Sequence, residues 1–250
     1  MTPLISILMK DWYAMTKRSM VTSVGVLVAG VLVVGCGGKT GEQASASAGP
    51  AARTVWDEPD LSGVWKASTK LGATPGQDTF NLTQLEALYR PEARAQMKQM
   101  SAKDDPSLRC VPSAFPRALT MGAPIQIVQT PGFATMLTEA IPLHRIIPTN
   151  GREHLSEDLR TPYFFGTSTG HWEGDTLVID VISFNGESWL ASSRDKPTST
   201  STGIWPTSFS MHVVERWRRV DADTLEYQAQ VEDPEMLTGA WDTPKVTLKR

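Results

Sequence analysis

Asp180 and Glu215 are the two carboxylates that strand alternation places among apolar neighbours, where acids can do proton chemistry. In the run TLVIDVISF, Asp180 shares a side with Val178, Ile182 and Phe184. In HVVERWRRV, Val213, Glu215 and Trp217 share a side opposite His212, Val214, Arg216 and Arg218. A carboxyl desolvated without a partner titrates upward and serves as general acid or base. Paired with Arg145, Arg216 or Arg219 it is only an internal ion pair, and both readings stay open. His212 opens its strand directly after a long aromatic segment, which makes it the acid partner for Glu215 or Asp180 as base. Three residues from Glu215, it lies off that side chain's face in a regular strand. Glu173 and Asp175 flank Gly174 and read as turn chemistry.

Other chemistries lack support. His144, His154, His171 and His212 form no HxH or HExxH spacing and have no nearby cysteine, so no metal site is expected. Gly166-Thr167-Ser168-Thr169-Gly170 has Gly-X-Ser-X-Gly spacing but lies in a run that reads as strand, not as a strand-to-helix elbow, and Ser193 and Lys196 match Ser-X-X-Lys by spacing alone. P-loop and dinucleotide fingerprints are missing, so nucleophilic hydrolysis and a nucleotide cofactor are not expected, and no cofactor of any kind is indicated. Cys110 sits in Arg-Cys-Val-Pro with no His to activate it. The chain carries 24 Lys and Arg against 27 Asp and Glu, with no basic run, which argues against nucleic acid as a partner. No residue pattern points to a particular protein partner.

The elements that must position these groups are mostly strands. Pro131-Gly132, Asn150-Gly151, Glu173-Gly174-Asp175 and Asp221-Ala222-Asp223 each separate apolar runs and predict hairpins. Roughly nine strands result, against one helical region near residues 82–102 and a Pro-rich coil at 104–124. This predicts a mainly β domain over residues 55–250: an antiparallel up-and-down barrel or a strongly bent sheet. Residues 183–211 form the longest segment without a strand, and Trp189, Trp205 and Phe209 within it suit a lid over a barrel mouth.

The N-terminal region concerns location. Lys17-Arg18, an apolar run from Val21 and a small residue before Cys36 have the order of a secretory signal over residues 1–35. Residues 1–14 read as a mis-called start ahead of Met15. Val33-Val34-Gly35-Cys36 resembles the lipobox of bacterial lipoproteins, which implies cleavage before Cys36 and acylation of its thiol. Gly37 at the following position implies, by the same resemblance, an outer-membrane address facing the periplasm. Residues 36–54 then form a small, polar tether that reaches roughly 20–25 Å.

Several runs together are similar to a large family of exported bacterial proteins of unassigned activity. They are DLSGVW at 60–65, RCVP at 109–112, IVQTPG at 127–132, HWEGDTLVID at 171–180 and HVVER at 212–216. The resemblance implies a lipocalin-like shape, and Gly63-Val64-Trp65 also resembles the Gly-X-Trp opening of lipocalin-type barrels. It further implies functional roles for Arg145, His154, Asn185, Trp189, His212 and Glu215. Relatives carry a Pro-His pair where this chain has Pro206-Thr207, and they continue into a segment with a second cysteine.

Three functions fit these features. The first is a lipid-anchored periplasmic protein that binds a small apolar or aromatic molecule in a barrel cavity, with Arg145, His154, Asn185, Trp189 and Trp205 as ligand-binding residues. The second is a cofactor-independent lyase or isomerase that uses Glu215, His212 and Asp180. The third is a structural envelope lipoprotein.

Overall fold

Hairpin chemistry builds most of the sheet. The computed structural model describes residues 52–67, 82–139, 143–192 and 204–250. The expected leader, Cys36, most of the tether and the centre of the expected lid lie outside the described residues. Strands β1 (Gly63–Ala67), β2 (Ile125–Thr130), β3 (Phe133–Thr138) and β4 (Leu143–Pro148) form a meander. Gly132, at φ 76°, supplies the turn between β2 and β3 that a residue with a Cβ resists. A second meander contains β5 (Thr167–Glu173), β6 (Thr176–Ile182), β9 (His212–Asp221), β10 (Thr224–Glu232) and β12 (Val246–Lys249). The short β11 (Trp241–Asp242) pairs with β10, and a separate ribbon of β7 (Trp189–Ser192) and β8 (Ile204–Pro206) is inserted between β6 and β9.

The main sheet runs β4-β3-β2-β1-β12-β10-β9-β6-β5, antiparallel throughout. Pairing of β1 with both β2 and β12 leaves β4 and β5 as the two edges. These edges meet where Gly151 N–H donates to the Gly170 carbonyl at 2.9 Å. A Cβ at Gly170 would stand 3.2 Å from the Pro148 carbonyl oxygen, a tight contact that glycine avoids. The result is a nearly closed antiparallel barrel, the mainly β architecture expected from the hairpin spacing. Closure disposes of the exposed edges that an open sheet would present.

Asn150-Gly151 behaves differently from expectation. The predicted partner strand through Arg152 and His154 does not form, because the free side of β4 is met by β5 instead. Residues 151–166 leave the sheet as a loop with one turn of 3-10 helix at Glu157–Leu159. The helical region divides into α1 (Leu82–Leu88) and α2 (Pro91–Met97), with Pro91 in the first turn of α2, where its missing N–H costs nothing.

Alternation sets the barrel interior. Leu225, Tyr227, Ala229 and Val231 on β10, and Val213, Glu215 and Trp217 on β9, are all buried. Among them sits Phe115, whose ring centroid is 5.9 Å from Trp217 and 6.4 Å from both Tyr227 and Phe165. It comes from the Pro-rich segment, which carries the one-turn helix α3 (Arg117–Thr120). That segment is held by a buried ion pair in which Arg117 donates to Asp105 at 2.6 and 3.1 Å.

Candidate functional site

Register between β5, β6 and β9 assembles a polar cluster on the barrel's outer face. Thr169 pairs with Asp180, and Asp180 pairs with Val214, which shares its face with His212. His154 arrives from the loop after β4. The Asp180 carboxylate accepts from both rings: His154 Nε2 lies 2.7 Å from Oδ1, and His212 Nε2 lies 2.7 Å from Oδ2. Thr169 Oγ1 is 3.2 Å from His154 Nε2. Each ring therefore carries a proton on Nε2; in the neutral form of His212 this leaves Nδ1 as the lone-pair nitrogen, 3.8 Å from Glu232 Oε2. Nδ1 of His154 is buried without a hydrogen-bond partner. The three side chains bond one another rather than converge on a common point, and among the described residues no group of His, Cys, Asp and Glu is placed to hold a metal ion.

Asp180 is held below the ordinary carboxylate range, chiefly by the hydrogen bond from His212, with partial burial opposing it and His154 adding to it. His212 is raised, chiefly by the hydrogen bond to Asp180, against partial burial. Asp180, lowered from 3.8, contributes stability above that pH and loses it as pH falls through its folded value. His212, raised from 6.5, contributes stability below that pH and loses it as pH rises through its folded value. The contact therefore supports the fold most between pH 3.8 and 6.5. The difference in urea midpoint between wild type and Asp180→Asn is expected to peak in that window and shrink above it. A difference that stays flat from about pH 3 to about pH 9 would contradict the pairing.

His212 also lines a cleft of about 560 Å³. Its walls include Pro162, Phe184, Phe209 and Met211, with Arg160 and Ser183 among the polar groups. Phe209 is 65% exposed, an apolar ring left open to the cleft and solvent. Arg160 makes no ion pair among the described residues, and its Nε is buried without a partner. Ser183 adopts φ 59°, a left-handed conformation that costs a non-glycine residue about 1 kcal/mol. Tyr163 holds it there: Tyr163 N–H donates to the Ser183 carbonyl at 3.0 Å, and Asn185 N–H returns to the Tyr163 carbonyl at 3.2 Å. The strained residue thus sits between β6 and the cleft wall, where strain accompanies function more often than elsewhere.

The other nominated residues lie elsewhere. Glu215 points into the barrel, 1% exposed, and takes two hydrogen bonds from Arg145 at 2.6 and 2.8 Å and one from Trp217 Nε1 at 2.9 Å. The internal ion pair, one of the two readings open for this carboxylate, is the one formed. Glu215 and His212 face opposite sides of β9, so they do not act on a shared atom. Asn185 closes a local turn by accepting from the Glu187 N–H at 3.1 Å. Trp189 and Trp205 are buried at 4% and 0% exposure in the β7–β8 ribbon rather than lining an opening. Cys36 is outside the described residues, and Cys110 is an exposed free thiol.

Sequence reasoning offered Asp180, as an alternative to Glu215, as the base to His212, nominated His154 apart from them, and missed Arg160. Alternation set Asp180 among apolar neighbours, whereas its side chain is 38% exposed on the outer face, where the β6–β9 register brings it beside His212. No protein-family model, curated protein or solved structure matches this chain.

Proposed function

We propose that the protein is a lipid-anchored protein of the periplasm that takes a small, largely apolar or aromatic molecule into the His212 cleft and moves a proton on it. The observation that carries this reading is the grip of one carboxylate on both imidazole Nε2 atoms, with His212 at the cleft wall. Asp180 fixes the His212 tautomer and stabilises the imidazolium that forms when Nδ1 takes a proton. His154 holds the carboxylate and Thr169 contacts His154, so both are positioning residues. Arg160, with no carboxylate partner among the described residues, offers charge to an enolate or carboxylate oxygen that gains charge as the proton leaves. Removal of a proton next to a carbonyl fits a cofactor-independent isomerase or lyase. The same cleft also suits binding without turnover, favoured by the fact that the Asp180–His154 bond ties the loop after β4 to the barrel.

The test is mass spectrometry of the protein extracted intact from its own membrane. A retained small molecule is expected, and in D₂O it should gain deuterium at its acidic carbon. Exchange should slow at least about a hundredfold in Asp180→Asn and His212→Gln. Exchange at the wild-type rate in both variants would remove the proton-transfer role. A protein that retains no molecule would remove the ligand. For the anchor, radioactive palmitate is expected to label the wild-type chain and to be lost in Cys36→Ala; equal labelling of both would exclude this cysteine.

A further inference from the structure

A second cleft, which shares no lining residue with the first, opens at the seam where the barrel edges β4 and β5 part. Its volume is about 360 Å³, within the range of small-molecule sites. Arg145 and Ser168 line it at depth, 6% and 7% exposed, and Arg145 Nε and Ser168 Oγ are both buried without a hydrogen-bond partner. Buried donors are nearly always satisfied, by protein, water or ligand, so two orphans on residues lining one cleft leave room there for an acceptor that the protein itself does not supply. The other guanidinium nitrogens of Arg145 are spent on Glu215 and Met136.

Charge and shape narrow the acceptor. No Asp or Glu lines the cleft. Arg152 lines it, stacks at 5.8 Å on the Phe133 ring and has no carboxylate partner among the described residues. Because Glu215 already balances Arg145, the positive charge of Arg152 is the surplus at this site. Phe165 and Tyr163 add aromatic walls, the latter 43% exposed. We infer that the seam cleft binds a small aromatic carboxylate, its carboxylate accepting from Arg145 Nε and Ser168 Oγ and compensated by Arg152, its ring against Phe165 and Tyr163. This site stands independently of the proton-transfer reading, which uses other residues.

Calorimetric titration of the full chain in detergent, with benzoate, benzamide and inorganic phosphate as probes, tests it. Benzoate is expected to bind one to one. Benzamide, which lacks the charge, and phosphate, which lacks the ring, should each bind at least about tenfold more weakly. Arg152→Gln should weaken benzoate about tenfold and Ser168→Ala about threefold to tenfold. Arg216→Gln, on a surface arginine paired with Glu173 at 2.7 Å, should leave it unchanged. Circular dichroism matching wild type guards against loss of fold in each variant. Equal affinity for benzoate and benzamide, phosphate binding as tight as benzoate, no benzoate binding, or benzoate affinity unmoved by both Arg152→Gln and Ser168→Ala would each overturn the assignment.

Discussion

Glu215→Ala is expected to destabilise the protein by about 3–5 kcal/mol, because it leaves the Arg145 guanidinium charged in a barrel interior without its counter-ion. The pair is bidentate, and Trp217 Nε1 takes up a further position on the carboxylate. Its retention is not a sign of large net stabilisation, since desolvation offsets most of the attraction. The variant Arg145→Met with Glu215→Leu removes both charges and should recover most of the loss. Urea unfolding of the three proteins checks this. A cost below about 1 kcal/mol for Glu215→Ala would mean that the Arg145 charge reaches water through the seam cleft that it lines.

Phe115→Ala is expected to cost a further large amount, about 3–5 kcal/mol. The ring packs against Trp217, Tyr227 and Phe165, and the Arg145 guanidinium carbon lies 4.6 Å from its centroid. Its removal leaves a void among rigid neighbours that collapse only partly. The void is apolar on most sides, so added indole should raise the melting temperature of the variant and leave wild type unmoved. Because Phe115 and Arg145 touch, this loss and that of Glu215→Ala should not add. A loss below about 1 kcal/mol would show that the segment merely covers the barrel.

These two residues also show where sequence reading reached and where it stopped. Period-two alternation turned Glu215 inward correctly, and Arg145 stood among its three possible partners; pairing across β9 and β4 is a contact 70 residues apart that no local pattern encodes. Glycine turns located the hairpins of β2–β3 and β5–β6 because positive φ is a local demand. Asn150-Gly151 carried the same signal and misled, since a barrel edge offers β4 a better partner than three residues that include Arg152 and Glu153. Phe115 looked like part of a coil because its segment has no periodicity. A buried Asp105–Arg117 pair, not a helix or strand, fixes its place.

The polar cluster was hidden for a different reason. Asp180 and His212 are 32 residues apart, with the β7–β8 ribbon between their strands, so their shared face depends on a register set by the whole barrel. His154 comes from a loop whose course follows from the failed hairpin. Tryptophans at 189 and 205 suggested a lid through their exposure cost alone. The structure meets that cost by burying them.

Ring-nitrogen NMR of the folded protein across pH reads the Asp180 cluster without knowledge of any substrate. The expected spectrum has both His154 and His212 protonated on Nε2 near neutral pH, and His212 titrating above its ordinary value of 6.5 in wild type but not in Asp180→Asn. A neutral His212 ring protonated on Nδ1 in place of Nε2, or a ring titrating at or below 6.5 in wild type, would contradict it.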